Sequence, residues 1–386
     1  MKKILFILFA CFATIMFMSC EGPAGPAGLD GLDGLAGTDG TNGVDGDVTC
    51  LACHSGVNMQ SINEQFQQSA HSSGAIAVAY AGGQARCAEC HSSEGFIEFV
   101  RTGDVAEDIS APSAWECKTC HGIHQTFDST DYALRLTDPV AFIFDATVTA
   151  DFDNNSNLCA ACHQSRTEGP EDMGGEWVDL NDTEDDGPGG VGDDDEYQVP
   201  TGSFFLSSTH YGPHHGSQAN VVYGAGFAEV AGSITYPVAG SGNHMADAAT
   251  CTGCHMYTYD DGEGGHTFNP SLEACNDCHG VTETDFDYGG VQTETEDLLT
   301  ELRDELVLLG LVAYAPGDYY EVNPETGDIE LVTAAGGYHP VPGIFPVEQV
   351  QAFFNWTGLD EDRSLGAHNP KYVKALLTNS LEALAK

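Results

Sequence analysis

Cys50-Leu-Ala-Cys53-His54 is the first of six C-x-x-C-H stretches in this chain of 386 residues. The other five begin at Cys87, Cys117, Cys159, Cys251 and Cys275. Together the six copies use twelve of the fourteen cysteines, namely Cys50, Cys53, Cys87, Cys90, Cys117, Cys120, Cys159, Cys162, Cys251, Cys254, Cys275 and Cys278. A local spacing repeated this often reflects a chemical requirement and not the amino-acid composition.

The C-x-x-C-H pattern is that of covalent haem attachment. Two thiols add to the vinyl groups of the haem, and the adjacent imidazole reaches the iron from the same short turn. Structural zinc would not require a histidine directly after every second cysteine, and secreted disulfides would not repeat one local spacing. The sequence therefore predicts six haem c groups, with the proximal iron ligands His54, His91, His121, His163, His255 and His279.

Nine further histidines remain, which suffices for a second imidazole on each of six irons. Spacing only partly shows which histidine serves which iron. His124 lies three residues after His121, so it can point toward a neighbouring haem. His210 and His339 are predicted not to be ligands. The candidate distal ligands are His71, His124, His214, His215, His244, His266 and His368.

The N-terminus predicts export. Two lysines precede an apolar run over residues 4–18, as in a secretory signal. That run is shorter than the roughly 20 residues a membrane-spanning helix needs. Ser19-Cys20 resembles the cleavage site of bacterial lipoprotein signals. We predict a signal peptide over residues 1–19 and a lipid on Cys20, with ordinary cleavage and an incidental Cys20 as the alternative.

Glycine recurs at every third position from Gly22 to Gly46, which is the collagen period. Proline is scarce there and aspartate fills many third positions, so three stacked chains would repel one another. We predict an extended, lipid-anchored stalk over residues 20–47, with a homotrimeric stalk as the alternative. At about 3.1 Å per residue it would hold the body roughly 75 Å from its anchor.

An acidic insert over residues 168–200 separates the fourth motif from the fifth. Its many carboxylates, glycines and few apolar residues predict a solvated surface loop. Part of it matches a calcium loop, although neither flanking helices nor the preferred third and twelfth residues are present. The alternative is a calcium site formed by Asp182, Glu184, Asp186 and Asp193.

The rest of the chain is predicted to be mainly α with extensive loops and few strands. Apolar residues at helical spacing predict one helix over Glu294–Leu311, a second over Val347–Trp356 and a third that starts at Pro370. The predicted regions after the stalk are a four-haem region over 48–167, the insert over 168–200, a two-haem region over 201–290, and a C-terminal helical region over 291–386 that packs on the haems.

The chain has fifty-nine acidic residues and twelve lysines and arginines, which gives a net charge of −47. A chain this acidic lacks the basic face that nucleic-acid binding needs. Much of the acid lies in the stalk and the insert. The excess of negative charge therefore predicts a solvated exterior suited to cations or to a basic partner.

Three further stretches carry a resemblance: Thr209-His210-Tyr-Gly-Pro-His214-His215-Gly-Ser-Gln218, Gly264-Gly265-His266-Thr267-Phe268-Asn269 and Gly366-Ala-His368-Asn369-Pro370-Lys-Tyr372. Together with the motifs, they resemble bacterial multihaem cytochromes c of the branch that includes cytochrome nitrite reductases, octahaem cytochromes and metal-reducer surface cytochromes. The resemblance covers roughly residues 48–386, except the insert and 319–333. It implies a fold organised around a stacked haem chain, with His266 and His368 as distal ligands. The C-x-x-C-K motif that marks the catalytic haem of the nitrite reductases is missing from this sequence.

These features predict an electron-transfer protein without catalytic residues, which passes electrons through low-potential haems to other redox proteins or extracellular acceptors. The predicted location is the outer membrane or cell surface, reached through the lipid anchor, with the periplasm as the alternative. Two other functions stay open. One is a reductase of a nitrogen or sulfur oxyanion with one open haem, and the other is a subunit of a cytochrome filament.

Overall fold

The computed structural model describes residues 54, 56–74, 77–125, 132–152, 154–179, 196–260, 262–280, 284–315, 318–322, 329–333 and 336–386. They belong to one compact unit, Asp47–Lys386. Several predicted features lie outside the described residues, so those predictions stay predictions. They are the signal peptide, the stalk with Cys20, the thiols of Cys50 and Cys53, and the calcium candidates Asp182, Glu184, Asp186 and Asp193. No helix in the described part is long and apolar enough to span a membrane.

Helices dominate the described residues, which confirms the predicted fold class. The α-helices are α1 Gly56–Gln67, α2 Ala85–His91, α3 Ser93–Thr102, α4 Cys117–Cys120, α5 Asn157–Cys162, α6 Gln218–Tyr223, α7 Thr250–His255, α8 Leu272–His279, α9 Val291–Leu308, α10 Val347–Asp362 and α11 Pro370–Leu384. Single turns of π-helix occur at Val78–Gly82 and Met245–Ala249, and 3₁₀ turns at Asn154–Ser156, Gly265–Thr267 and Tyr288–Gly290.

The strands are short and pair only as antiparallel ribbons. They are β1 Val140–Ala141, β2 Thr149–Ala150, β3 Trp177–Asp179, β4 Glu196–Gln198, β5 Ser203–Leu206, β6 Val312–Ala315, β7 Asp318–Val322, β8 Ile329–Thr333, β9 Gly337–Pro340 and β10 Gly343–Pro346. The pairs are β1 with β2, β3 with β4, β5 with β10, β6 with β9, and β7 with β8. The β5–β10 ribbon, with Gly343 opposite Leu206, ties the middle of the chain to the start of α10.

The three C-terminal helices form where the sequence predicts them. In α11, Pro370 occupies the start of the helix, where its missing N–H costs no hydrogen bond. The side chain of Asn369 caps that end by accepting a hydrogen bond from the Tyr372 N–H at 3.3 Å. The periodicity in the sequence was therefore a sufficient signal for these helices.

The larger hydrophobic core lies between α9, α10 and α11. Leu302, Leu306, Phe353, Leu376 and Leu377 have no solvent exposure there. With Val350 on α10 and Val373 on α11, which are also buried, the apolar residues recur at spacings of three and four, so each helix buries an apolar stripe against the other two.

A second core lies beside the second and fourth motifs. Residues here that are at most 2% exposed include Phe96 of α3, Phe142 and Phe152 just beyond the strands of the β1–β2 ribbon, and Ala160 of α5. Ala160 and its neighbour Ala161 are the two central residues of the fourth motif. Because both residues are small, another helix can approach α5 closely. This close packing positions the second and fourth motifs.

Candidate haem-binding sites

The motif cysteines and histidines share a local geometry. In the part of the chain that the structure describes, each motif lies on a short helix: α2, α4, α5, α7 or α8. Residues at i, i+3 and i+4 lie on the same face of a helix, so the two thiols and the imidazole of one motif project to one side. The ten described motif cysteines are free of disulfides. They are therefore available as a pair of thiols beside one imidazole.

Five proximal imidazoles each face a second imidazole that comes from elsewhere in the chain. The ring centroids lie between 5.9 and 6.3 Å apart. The pairs are His54 with His124, His163 with His71, His91 with His214, His121 with His266, and His255 with His368.

This separation fits two axial ligands of one metal ion. A metal–nitrogen distance of about 2 Å on each side places the centroids of two imidazoles about 6 Å apart. Rings in direct stacking lie closer, as His279 and Tyr288 do at 3.9 Å. Each of the five pairs thus leaves room for an iron between its rings, and together with the thiols it fits a haem c with two imidazole ligands.

Hydrogen bonds select the nitrogen that is left for the metal. A neutral imidazole that donates from Nδ1 keeps its lone pair on Nε2, which is how metal-binding histidines are usually oriented. The Nδ1 donors, each with its acceptor, are His121 to the Tyr132 carbonyl at 2.6 Å, His163 to Gln218 Oε1 at 3.1 Å, His255 to the Phe268 carbonyl at 2.8 Å, and His368 to Asp362 Oδ1 at 2.7 Å.

Burial keeps several of these rings neutral, which is the form that binds a metal. Burial lowers the pKa of His71 to about 4, and the nearby His163 adds to this effect. Burial is also the main cause of the lowered pKa values of His255 and His266.

The backbone of the loop around His266 passes very close to the neighbouring backbone. Gly264 and Gly265 both have positive φ, and a Cβ on Gly264 would lie 1.4 Å from the Tyr257 carbonyl oxygen. Gln65 of α1 accepts a hydrogen bond from the His266 N–H at 3.1 Å. Two residues on, Phe268 packs its ring 4.8 Å from that of His71. One short loop therefore positions one candidate distal histidine, His266, and packs against another, His71.

Two of the candidate distal histidines lie in the left-handed backbone region, with φ of 57° for His124 and 74° for His214. Residues with a Cβ seldom adopt this conformation, and it persists where the surrounding structure enforces it, commonly at functional sites. At His214, this backbone conformation directs the side chains of two consecutive histidines to different partners. His214 pairs with His91, whereas His215 places its Nδ1 3.0 Å from Glu361 Oε2.

The fourth motif lies between the second and the fifth. Cys90 Sγ lies 3.8 Å from the Ala161 carbonyl oxygen, and Cys162 Sγ lies 4.0 Å from that of Glu89. On the other side, Ser156 Oγ, just before the fourth motif, lies 3.1 Å from Thr252 Oγ1 of the fifth motif, and the thiols of Cys159 and Cys251 lie close enough to shift each other's pKa.

The remaining motifs join this group. The hydroxyls of Ser93 and Thr119 meet at 2.7 Å and tie α3, which follows the second motif, to the third motif. Burial raises the pKa of the Cys254 thiol to about 11, with a contribution from the adjacent Cys275 thiol, which places the sixth motif beside the fifth. His124, which faces His54, lies three residues after His121 and so links the first motif to the third.

Two of the candidate distal ligands have no proximal partner. His215 bonds to Glu361, and His244 is exposed at the start of the turn Met245–Ala249. His210 is also exposed, and His339 lies in β9. The other five candidates, His71, His124, His214, His266 and His368, are brought to motif histidines.

Sequence reasoning missed two charged residues near the imidazole pairs. The first is Asp362, whose side chain is 1% exposed. Burial by itself lowers the pKa of His368, but the charge of Asp362 and its hydrogen bond raise it above the usual value. The second is Arg166, which donates to the Arg86 carbonyl and lies 3.8 Å from Cys87 Sγ. Neither residue belongs to a local pattern that would have marked it.

We expect Asp362→Asn to raise the reduction potential of the haem predicted between His255 and His368 by about 40 mV. The substitution keeps a hydrogen-bond acceptor but removes its charge. A charged hydrogen bond is stronger than a neutral one by about 1 kcal/mol, and about 1.4 kcal/mol corresponds to 59 mV for one electron. Spectroelectrochemical titration measures the shift. The matched control is Asp360→Asn, an exposed carboxylate on the same helix; equal shifts in both variants would contradict the assigned role.

Comparisons with known proteins add little to this geometry. No protein-family model matches the chain, and no curated protein matches it either. One solved structure that does match is the crystal structure of the outer cell wall cytochrome OcwA, at 14% identity and a TM-score of 0.46. The match covers 84% of this chain and 50% of that one, so the chain spans about half the length of the structure it matches. Similarity at this level does not establish a shared fold.

Proposed function

We propose that this protein is a hexahaem c-type cytochrome that carries electrons. The observation that supports this most directly is the set of five imidazole pairs, each joining a motif histidine to a distant one at 5.9–6.3 Å. Neither zinc nor disulfide chemistry calls for a second imidazole opposite every C-x-x-C-H histidine.

Two imidazoles on one iron favour electron transfer over catalysis. When bound, haem supplies a one-electron ferric/ferrous couple whose potential depends on the axial ligands and the surroundings. In the five paired sites, a motif histidine and a distant histidine would hold the iron together, which would leave no ligand position for a substrate. The carboxylate excess of the chain, with Asp362 beside His368 as one case, favours the ferric state and hence a low potential.

Contacts between motifs supply a path. The Ser93–Thr119 hydrogen bond links the start of α3, just after the second motif, to the third motif, and the Cys120 thiol lies near enough to that of Cys162 in the fourth to raise its pKa. The first motif joins through His124. The fourth motif touches the second and the fifth, and the fifth lies beside the sixth. Electrons would enter at either end of this connected set and leave at the other, with the fourth motif at its centre.

The export signal and the stalk support a location at the outer membrane or cell surface, where the partners would be other redox proteins or extracellular acceptors. The net charge of −47 favours a partner with a basic surface. Such an association weakens as salt screens the charges.

Haem counting tests this proposal. Mass spectrometry and the pyridine haemochrome spectrum of the exported protein should show six covalent haems, and the ferric spectrum should be dominated by low-spin iron with two imidazole ligands. A Cys20→Ala control should lose the predicted lipid while retaining all six haems. Bound zinc, or intact disulfides in place of thioethers, would contradict the proposal.

A further inference from the structure

His279 of the sixth motif differs from the other five proximal histidines. It lies at the exposed end of α8, and its ring stacks on that of Tyr288 at 3.9 Å with an angle of 28° between the planes. All fifteen histidines belong to the described residues, and none of the other fourteen has a ring contact with His279.

Tyr288 does not occupy the place that a second imidazole takes in the other sites. Ring centroids at 3.9 Å leave no room for a metal ion between them, in contrast to the 5.9–6.3 Å of the five pairs. The tyrosine ring instead covers one face of the imidazole and holds its orientation.

We propose that the iron of the sixth haem, attached through Cys275 and Cys278 and held by His279, binds a small external ligand at its second axial position. This inference rests on the haem attachment of the proposed function. It adds to the electron path a terminal site at which a molecule from solution binds iron directly.

The surroundings favour a neutral ligand over an anion. Asp277 follows Cys275 by two residues, and Asp285 precedes Tyr288 by three; both carboxylates are exposed. No lysine or arginine lies between Arg166 and Arg303 in the sequence. The two cations that the fold brings toward the start of α9, Arg363 and Lys374, are paired with Glu361 and Glu294. The local potential is therefore negative, and it opposes the approach of anions such as nitrite or azide. Carbon monoxide for the ferrous state and imidazole for the ferric state are suitable neutral probes.

The test uses the full exported protein with its haems counted first. In the ferric state, electron paramagnetic resonance should show one high-spin centre per molecule, which imidazole converts to low spin. In the ferrous state, carbon monoxide should bind one haem per molecule. Raising the salt from about 20 mM to about 0.5 M should strengthen azide binding several-fold and leave imidazole binding unchanged, because salt screens the carboxylates.

Variants assign the site. Cys275→Ala with Cys278→Ala should remove the high-spin centre and the carbon monoxide reaction together. If that double variant does not fold, Tyr288→Phe and a dilution series of the wild-type protein decide the question. Both should leave the high-spin signal unchanged.

Three results would overturn this inference. The first is six low-spin haems at every protein concentration, and the second is a high-spin signal that emerges only on dilution, which would mean that a second copy supplies the ligand. The third is a signal that changes in Tyr288→Phe, which would make the phenolate the ligand. A haem count below six would instead contradict the proposed function, so the two failures are distinguishable.

Discussion

The His71→Met variant is expected to raise the reduction potential of the fourth haem by on the order of 100 mV, because a thioether favours ferrous iron and axial ligands set haem potentials over about 0.8 V. His71 faces His163 at 6.0 Å, and the fourth motif connects the second to the fifth. At about 59 mV per tenfold, the shift favours an electron on this haem about fifty-fold. Transfer across the protein should slow accordingly, as measured by stopped-flow reduction alongside spectroelectrochemistry.

The control for this variant is His244→Met. His244 is exposed and has no proximal partner, so its replacement should leave the potentials and the transfer rate unchanged. If both variants change the potentials alike, or if neither does, His71 is not the distal ligand of the fourth haem. Low-spin signals characteristic of methionine ligation should occur only in the His71 variant.

The Phe353→Ala variant is expected to lower the free energy of unfolding by about 3–5 kcal/mol, the usual cost of truncating a buried phenylalanine. Phe353 has no solvent exposure and lies in the core formed by α9, α10 and α11. Part of the cost is lost transfer free energy, and the rest comes from the cavity that the neighbours cannot fill. Denaturant unfolding of the haem-loaded protein, followed by far-ultraviolet circular dichroism, measures it.

The matched control is Leu308→Ala on α9. Its side chain is 79% exposed, so truncation should change stability by no more than about 0.5 kcal/mol. If Phe353→Ala cost as little as Leu308→Ala, this core would contribute little to stability and the covalent haems would carry the fold instead.

Local rules predicted the helices well and the strands poorly. The apolar spacing of Leu299, Leu302 and Leu306 indicated α9, and Pro370 indicated the start of α11. The ribbons were not predicted because their strands span two to five residues, too few to show alternation. In some of them the partners are also distant in the sequence, as with β5 and β10.

The two adjacent histidines show the limit of sequence reasoning at the site. Spacing could not choose between His214 and His215, because the distances along the chain from these two residues to any motif differ by only one residue. Backbone conformation makes the choice: His214, with φ of 74°, turns to His91, and His215 turns to Glu361. Asp362 was missed for a similar reason, since only the end of α10 brings its carboxylate to His368.

The sequence alone determined the six C-x-x-C-H motifs, because two thiols and an imidazole at i, i+3 and i+4 meet within a single helical turn whatever the rest of the chain does. The pairing of those motif histidines with distant imidazoles was decided only by the tertiary structure. His71 and His163 lie 92 residues apart, and no local rule relates them. The same holds for the isolation of His279, because whether a second imidazole reaches an iron depends on how the whole chain packs.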